Sequence, residues 1–147
     1  MYGSIVVGTD GSPRAQRAVS EAMTLAKLSG ATLHVVHVMR LVSLAAATYG
    51  DADVVARANE EARGSGDQVC AQVAATAERE GVAAEVHNVE GDPADMLLQV
   101  AETVGADLLV IGNRGMTGVK RFVLGSVPNK ISHHCPCSLL IVSTDDA

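Results

Sequence analysis

The feature that most constrains this sequence is a regular alternation of short apolar runs and longer amphipathic segments. The short runs are rich in β-branched residues and predict five buried strands. The longer segments carry apolar residues at helical spacing and predict four helices. Strands separated by helices run parallel, with the helices packed on the faces of the sheet. The sequence therefore predicts an α/β fold with a five-stranded, mostly parallel, doubly wound and Rossmann-like sheet that has helices on both faces.

The predicted elements follow one another without a linker. The strands cover residues 4–10, 31–38, 83–91, 106–112 and 137–143, and the helices cover 13–29, 52–80, 93–104 and 126–133. Gly64 and Gly66 predict a kink or break in the long second helix, because glycine costs about 1 kcal/mol relative to alanine in a helix interior. With 147 residues and no internal repeat, residues 1–147 are predicted to form a single domain.

A glycine-rich basic segment follows the fourth predicted strand. Residues 112–126 read GNRGMTGVKRFVLGS, and no Asp or Glu occurs from Leu108 to Thr144, although the chain carries a net charge of -6. Glycine lets backbone N–H groups approach a ligand closely, and a neighbourhood without acids does not repel an anion. The segment therefore predicts a site for a small ligand that bears phosphate.

A second signal points to the same edge of the sheet. The first predicted strand ends in Gly8, Thr9 and Asp10, and the glycine-rich segment leaves the carboxyl end of the fourth strand. In doubly wound sheets, ligands bind beyond the carboxyl ends of the strands, where the strand order reverses. Neither a Walker A loop nor a G-x-G-x-x-G dinucleotide fingerprint is present. Both segments are predicted to line one site of a different type.

The spacing Gly112-x2-Gly115-x9-Gly125-Ser126 resembles the nucleotide-binding motif of the ATP-binding universal stress proteins. The likeness covers nearly the whole chain, including IVVGTDGS, LHVVHV, ADLLVIGNRG, LGSVPNKI and CPCSLLIV. It implies the universal stress protein fold and a stress-response module that binds ATP, with Mg²⁺ as a potential companion ion. Pro128 is a departure from the family pattern. It removes one N–H donor at the start of the last helix.

The resemblance also implies which residues contact the nucleotide. Asp10 would contact the ribose or adenine, Val38 would read the base edge through its backbone, and Ser126 would meet phosphate at the positive end of a helix. The complete predicted set is Gly8, Thr9, Asp10, Val38, Ile111, Gly112, Asn113, Arg114, Gly115, Gly125, Ser126 and Val127.

Simpler interpretations stay open for the charged residues. Asp10 could serve only as a helix cap. Arg114, Lys120 and Arg121 belong to a class more often found as solvated loop charges than as ligands, and Lys130 is expected to be a surface residue.

Other functions also stay open. A cyclic AMP or AMP binder of the same family is one alternative, and an interaction module without a ligand is another, which the intact glycine pattern disfavours. An ATP-hydrolysing or adenylate-transferring enzyme is disfavoured because Asp10 is the only obvious acid near the loop, and neither a general base nor a Mg²⁺-binding acidic pair is evident. The chain is therefore expected not to be an enzyme, with at most slow ATP hydrolysis.

The string HHCPC at residues 133–137 contains potential zinc ligands, but it lacks a second pair at metal-binding spacing. It also matches the usual entry into the family's last strand, so no metal site is predicted there. His34 and His37 alternate with valines and are expected to be hydrogen-bonded histidines of the sheet rather than catalytic ones.

The bulk properties restrict partners and location. No apolar run reaches the roughly 18 residues of a membrane span, and the N-terminus has no signal-peptide pattern. Three cysteines are more typical of reduced thiols than of a disulfide framework. Global acidity argues against nucleic-acid binding. We expect a cytoplasmic protein with neither membrane nor nucleic-acid partners.

The last predicted strand suggests self-association. SLLIV is apolar on both faces and lies at the chain end, so it is predicted to form a sheet edge, and an uncovered apolar edge is prone to pairing. Universal stress proteins commonly pair this strand with its two-fold mate. The resemblance therefore implies a homodimer through the C-terminal strand.

Overall fold

The computed structural model describes residues 1–42, 52–113 and 124–144. Five strands alternate with four helices in these ranges: β1 Ser4–Gly8, α1 Ala15–Ser29, β2 Thr32–Met39, α2 Ala52–Arg79, β3 Ala84–Glu90, α3 Pro93–Thr103, β4 Leu108–Gly112, α4 Ser126–His134 and β5 Ser138–Val142. The strands form one sheet in the order β3-β2-β1-β4-β5, and every pairing is parallel. The predicted α/β class is confirmed, with a sheet that is parallel throughout rather than mostly parallel.

The sheet separates two apolar clusters. Ile5 and Val7 of β1 pack with α1 and α2 on one face. Val6, which lies between them, packs on the opposite face with Leu97 of α3 and Ile131 of α4. Successive strand residues point to opposite faces, so a strand covered on both sides must be apolar at every position. This explains the uninterrupted apolar runs and confirms the helices on both faces.

The strand order reverses at β1. The chain adds β2 and β3 on one side of β1 and then crosses back to add β4 and β5 on the other side. β1 and β4 are therefore neighbours, and their carboxyl ends meet at the switch point. This confirms that the turn after β1 and the segment after β4 leave from the same place. β5 is an edge strand, as predicted.

The sequence predicted a kink or a break in α2, and the break is wrong. The helix continues without interruption from Ala52 to Arg79. Gly66 is buried, and a Cβ atom there would lie only 2.7 Å from His37 Nδ1 and from Asn88 Nδ2, whereas a Cβ at Gly64 would meet nothing within 4 Å. The glycine at position 66 thus allows a close approach of helix to sheet rather than interrupting the helix.

The helix ends follow local sequence signals, with small shifts. The Asp92 carboxylate accepts the N–H of Asp95 at 3.1 Å, and Pro93 takes the first helical position of α3, as predicted. Gly30 ends α1 in the left-handed region at φ 72°. α1 begins at Ala15 rather than at Pro13, but Ser12 Oγ still accepts the Ala15 N–H at 3.2 Å.

Candidate nucleotide site

The position beyond the end of β1, at the carboxyl edge of the sheet, is the switch point at which doubly wound sheets bind ligands, and it is called the crevice here. β1 ends at Gly8, where it is level with Val36 of β2, and its register with β4 ends at Val110. β2 continues to Met39 and β4 continues to Gly112. The two neighbours therefore extend past the end of β1 and border the space that it leaves.

Backbone groups of β2 face this crevice. The Val36 carbonyl accepts the Thr9 N–H at 3.0 Å, so Val36 directs its backbone groups toward β1. Val38, two residues on, directs its N–H and C=O to the same side, because these directions alternate along a strand. Within the described ranges neither group has a hydrogen-bond partner. A donor and an acceptor side by side suit the edge of a purine base, which is the role predicted for Val38.

β4 borders the other side of the crevice. The Asn113 N–H donates to the Val142 carbonyl at 2.9 Å, so Asn113 and, by alternation, Ile111 direct their backbone groups toward β5. Gly112 therefore faces β1, and its carbonyl has no partner in the described part of the chain. The Ile111 side chain is 4% exposed and belongs to the core. Gly112 reaches the crevice with its backbone, and Ile111 reaches it with neither side chain nor backbone.

The turn after β1 is held by its own side chains. Thr9 Oγ1 accepts the Gly11 N–H at 3.1 Å, and Asp10 Oδ1 accepts the Ser12 N–H at 2.9 Å. Thr9 is buried and Asp10 is exposed. The second carboxylate oxygen of Asp10 has no partner among the described residues, so it remains available to a ligand hydroxyl. Asp10 is thus a turn residue with one free acceptor rather than a helix cap alone.

Two glycines at the end of β1 and in the turn are closely packed. A Cβ at Gly8 would lie 2.9 Å from Leu97 Cδ2, so the absence of a side chain lets α3 approach the end of β1. Gly11 has φ +80°, and a Cβ there would lie 2.7 Å from Val69 Cγ2 of α2. The sequence indicated Gly8 as a ligand residue and did not single out Gly11. Packing accounts for both glycines, and the contact of Gly8 with a nucleotide stays a prediction.

Asn113 joins three parts of the chain. Its Oδ1 accepts from the Thr144 N–H at 3.0 Å and from the Thr144 hydroxyl at 2.8 Å, and its own carbonyl accepts the Gly125 N–H at 3.0 Å. Asn113 and Gly125, which stand on either side of the residues left undescribed, are therefore linked directly to each other. Thr144 is buried, and no pattern in the sequence pointed to it. Asn113 positions the site through these bonds.

The start of α4 supplies free backbone donors. Gly125 precedes the helix, and the N–H groups of Ser126 and Val127 have no acceptor within the parts of the chain described. Pro128 comes third and is buried, so the helix presents two free N–H groups here. The free N–H groups and the helix dipole together favour an anion. Gly125, Ser126 and Val127 lie at the start of α4, and their contact with a nucleotide stays a prediction.

Of the cations near the site, only some lie within the described residues. Arg114, Gly115, Lys120 and Arg121 lie outside the described residues. Lys130 forms an ion pair with the Asp95 carboxylate at 2.7 Å and is a surface residue, as expected.

Arg14 was not predicted as a site residue. It immediately precedes α1, and its Nη1 atom is buried without a partner in the described ranges.

The HHCPC string does not bring three potential ligand atoms together. Among the described residues, no group of three or more potential ligand atoms within 4.8 Å includes any member of residues 133–137. Cys135 and Cys137 have their sulfur atoms 3.8 Å apart, and burial, together with Cys135, raises the pKa of the Cys137 thiol to about 11. The Cys137 thiol is therefore protonated at neutral pH. All three cysteines are free.

The fold and the crevice define the class of this protein. It is a doubly wound, parallel α/β protein with polar backbone groups gathered at the switch point of its sheet. None of the helices in the described ranges combines the length and apolar character needed to cross a membrane. A sequence model of the universal stress protein family matches residues 1–143. The chain belongs to the universal stress protein family.

Relatives of known name and structure agree with this assignment. The universal stress protein YxiE of Bacillus subtilis is 33% identical over 97% of this chain and 99% of its own length. A universal stress protein solved in complex with cAMP is 32% identical, with a TM-score of 0.70 over 98% of both chains. The universal stress protein UspA from Lactobacillus plantarum is 21% identical and shares the fold, with a TM-score of 0.82 over 96% of this chain and 97% of its own.

Proposed function

We propose that this protein binds an adenine nucleotide in the crevice above β1, and that ATP is the nucleotide. The proposal is carried by the backbone N–H and C=O of Val38, which have no partner among the described residues and face the crevice beside the exposed Asp10 carboxylate. A base held by Val38 and a ribose held by Asp10 would direct the phosphates toward the free N–H groups of Ser126 and Val127. The glycine-rich motif leads into the same helix start and favours a triphosphate.

A specific observation favours cyclic AMP as the second candidate. The relative solved in complex with cAMP is 32% identical over 98% of this chain. Cyclic AMP offers the same base but only one phosphate, so it would use the nucleoside contacts and leave part of the glycine-rich segment without a ligand. Mass spectrometry of the small molecule that copurifies with the chain, followed by calorimetric competition among ATP, AMP and cyclic AMP, separates the two candidates.

The central test is an isosteric change at Asp10. Asp10→Asn keeps one amide oxygen for the Ser12 N–H, so the turn is preserved, but it replaces the second oxygen by an NH₂ donor. Loss of a hydrogen bond to a charged group is worth about 1.5–3 kcal/mol, or roughly ten- to 150-fold in affinity. Titration calorimetry should show this loss for ATP and for adenosine alike, because Asp10 serves the nucleoside.

Asp107→Asn is the matched control. Asp107 is an exposed carboxylate at the opposite edge of the sheet, where it accepts the N–H groups of Gly3 and Ser4. The Asp107→Asn variant should bind every nucleotide with the affinity of the parent protein. Unchanged affinity in Asp10→Asn, with parental melting curves, would place the nucleoside elsewhere.

The phosphate end is tested at the glycine motif. Gly115→Val should abolish ATP binding, because a side chain there occupies the ligand's space or forbids the backbone angle. Ser126→Ala should be milder, since it removes one hydroxyl and leaves the helix N–H groups in place. A folded Gly115→Val that binds ATP like the parent contradicts the proposal.

We further propose that the protein is a cytoplasmic binding module rather than an enzyme. Phosphoryl transfer needs metal bridging and an oriented nucleophile, and Asp10 is the acid that the described residues place at the crevice. Steady-state phosphate release under saturating ATP, with and without Mg²⁺, should therefore be slow or absent. Sustained turnover at about 1 per second or faster, which is ordinary for enzymes, is incompatible with this view.

We also propose a homodimer formed through β5. Leu139 and Ile141 direct their backbone groups away from β4, and the apolar side chains of the strand are half-buried. Ile141→Pro removes an outward N–H without removing a bond to β4. Val86→Pro is the matched control, because Val86 is exposed on the other edge strand with its N–H also directed outward. Light scattering should show a dimer for the parent and Val86→Pro, and a monomer for Ile141→Pro; a parental monomer refutes the dimer.

A further inference from the structure

Three potential metal ligands meet on the two strands at the β3 edge of the sheet. His34 of β2 is level with Glu85 of β3, and His87 lies two residues further along β3 on the same face. His34 Nδ1 is 3.1 Å from His87 Nε2 and 3.3 Å from Glu85 Oε2. All three ligand atoms lie within 4.8 Å of one another. In the described part of the chain, no other group of three meets this spacing.

These distances fit a tetrahedral ion. Two ligand atoms that each lie about 2.0–2.1 Å from tetrahedral zinc are about 3.3–3.4 Å apart. Both contacts of His34 Nδ1 are within 0.3 Å of that separation. Two imidazoles and one carboxylate are also a donor set that zinc uses in sites with an open fourth position. Geometry and chemistry thus agree.

The three ligand atoms of the cluster have too few protons between them to pair fully by hydrogen bonds. His34 Nδ1 carries at most one proton, so it can donate fully to either the His87 ring or the Glu85 carboxylate, but not to both. A divalent cation satisfies all three acceptors at once.

The cluster combines a rigid base with an open entrance. The His34 side chain is 8% exposed, while the Glu85 side chain is 65% exposed. Seven consecutive register pairs join β2 and β3 here, so the backbone holds the ligands in place. Glu85 can move to admit an ion, and the two histidines are held by the sheet.

We propose that His34, Glu85 and His87 form a zinc site with a fourth position open to water. The site would link β2 to the edge strand β3. It is separate from the nucleotide crevice, because His34 lies four residues before Val38, or about 13 Å along the strand. Zinc binding is therefore independent of the proposed nucleotide function.

The test uses the untagged full chain, stripped with EDTA and dialysed. Zn²⁺ binding is measured by equilibrium dialysis, Co²⁺ serves as a spectroscopic probe of tetrahedral coordination, and Mg²⁺, which prefers oxygen ligands, is the negative control. His87→Ala and Glu85→Gln each remove one ligand without touching buried His34. Loss of a partner that only supports a ligand already costs about 10–100-fold in affinity, so each variant should lose more than tenfold.

Two controls separate this site from others. A fourfold variant removes the histidines and cysteines of the HHCPC string and should retain one zinc per chain. Its substitutions are His133→Ala, His134→Ala, Cys135→Ser and Cys137→Ser. Asp10→Asn should also retain it, even if nucleotide binding is lost. Zinc should raise the melting temperature of the parent but not of Glu85→Gln.

The outcomes decide the proposal. One zinc per chain, tetrahedral Co²⁺ bands without a thiolate charge-transfer band, and a loss above tenfold in both ligand variants support it. No binding by the parent, a loss of tenfold or less in either variant, or a loss in the fourfold variant overturns it. If His87→Ala fails to fold by circular dichroism, Glu85→Gln alone carries the test, because that side chain is mostly exposed.

Discussion

The two glycines inside α2 provide a matched pair of substitutions with opposite expected effects. Gly64 has nothing within 4 Å of its would-be Cβ, so Gly64→Ala should stabilise the protein by up to about 1 kcal/mol through helix propensity alone. Gly66→Ala has the same propensity gain. Its Cβ, however, would lie 2.7 Å from His37 Nδ1 and from Asn88 Nδ2, which is too close for either contact to persist.

The neighbours of Gly66 cannot move away freely. Asn88 Oδ1 accepts a hydrogen bond from His37 Nδ1 at 3.0 Å, and Asn88 Nδ2 donates to the Arg63 carbonyl at 3.0 Å and to Asp67 Oδ1 at 2.9 Å. Overpacking typically costs about 1–3 kcal/mol, which exceeds or cancels the propensity gain. The two variants should therefore differ by about 1–3 kcal/mol, with Gly66→Ala the less stable.

Urea unfolding and calorimetry measure this difference. For a chain of this length, about 3 °C of melting temperature corresponds to 1 kcal/mol, so the two variants should melt roughly 3–9 °C apart. Asn88→Ala removes the amide that blocks the new methyl group, so Gly66→Ala should cost less in that background. Equal stability of the two glycine variants would show that close packing is not the reason for Gly66.

Other substitutions test the caps and turns that hold the site. Asp92→Ala should cost about 1 kcal/mol at pH 7. Accepting the Asp95 N–H lowers the pKa of the Asp92 carboxyl. The stability that Asp92 contributes is therefore present above the ordinary pKa of 3.8 and is lost as pH falls through the lower pKa of the folded state. The unfolding curves of parent and variant should converge at that low pH. Asn113→Ala should lower the melting temperature more than Thr144→Val, because it removes both bonds to Oδ1 rather than one; equal losses would contradict this. Gly11→Ala should destabilise more than Gly30→Ala, since both have positive φ but only Gly11 has a side chain in the way; the reverse order in urea would refute the packing argument.

The fold was predictable because its signals are local. The switch from apolar runs to helical spacing needs only neighbouring residues, and helices between strands force parallel pairing. The Asp92-Pro93 start of α3 and the Gly30 end of α1 are equally local, since each cap is completed within four residues. Such features can be read from any short window of the chain.

The features that were missed depend on distant contacts. The close packing at Gly66 involves His37 and Asn88, which lie more than 20 residues away in the sequence, and glycine propensity carries no information about them. Thr144 becomes relevant only because Asn113, 31 residues earlier, accepts two of its hydrogen bonds. No periodicity links such pairs, so only the folded arrangement reveals them.

The crevice shows the same distinction within a single site. The sequence could place Val38 at the end of β2, but whether its N–H and C=O face the crevice depends on strand register. A shift of one residue would direct them to β3, because the directions alternate along the strand. The bond from the Thr9 N–H to the Val36 carbonyl fixes this register, and Thr9 is the first residue after β1. The turn made by Thr9 and Asp10 therefore both ends β1 and determines which groups of β2 a ligand can reach.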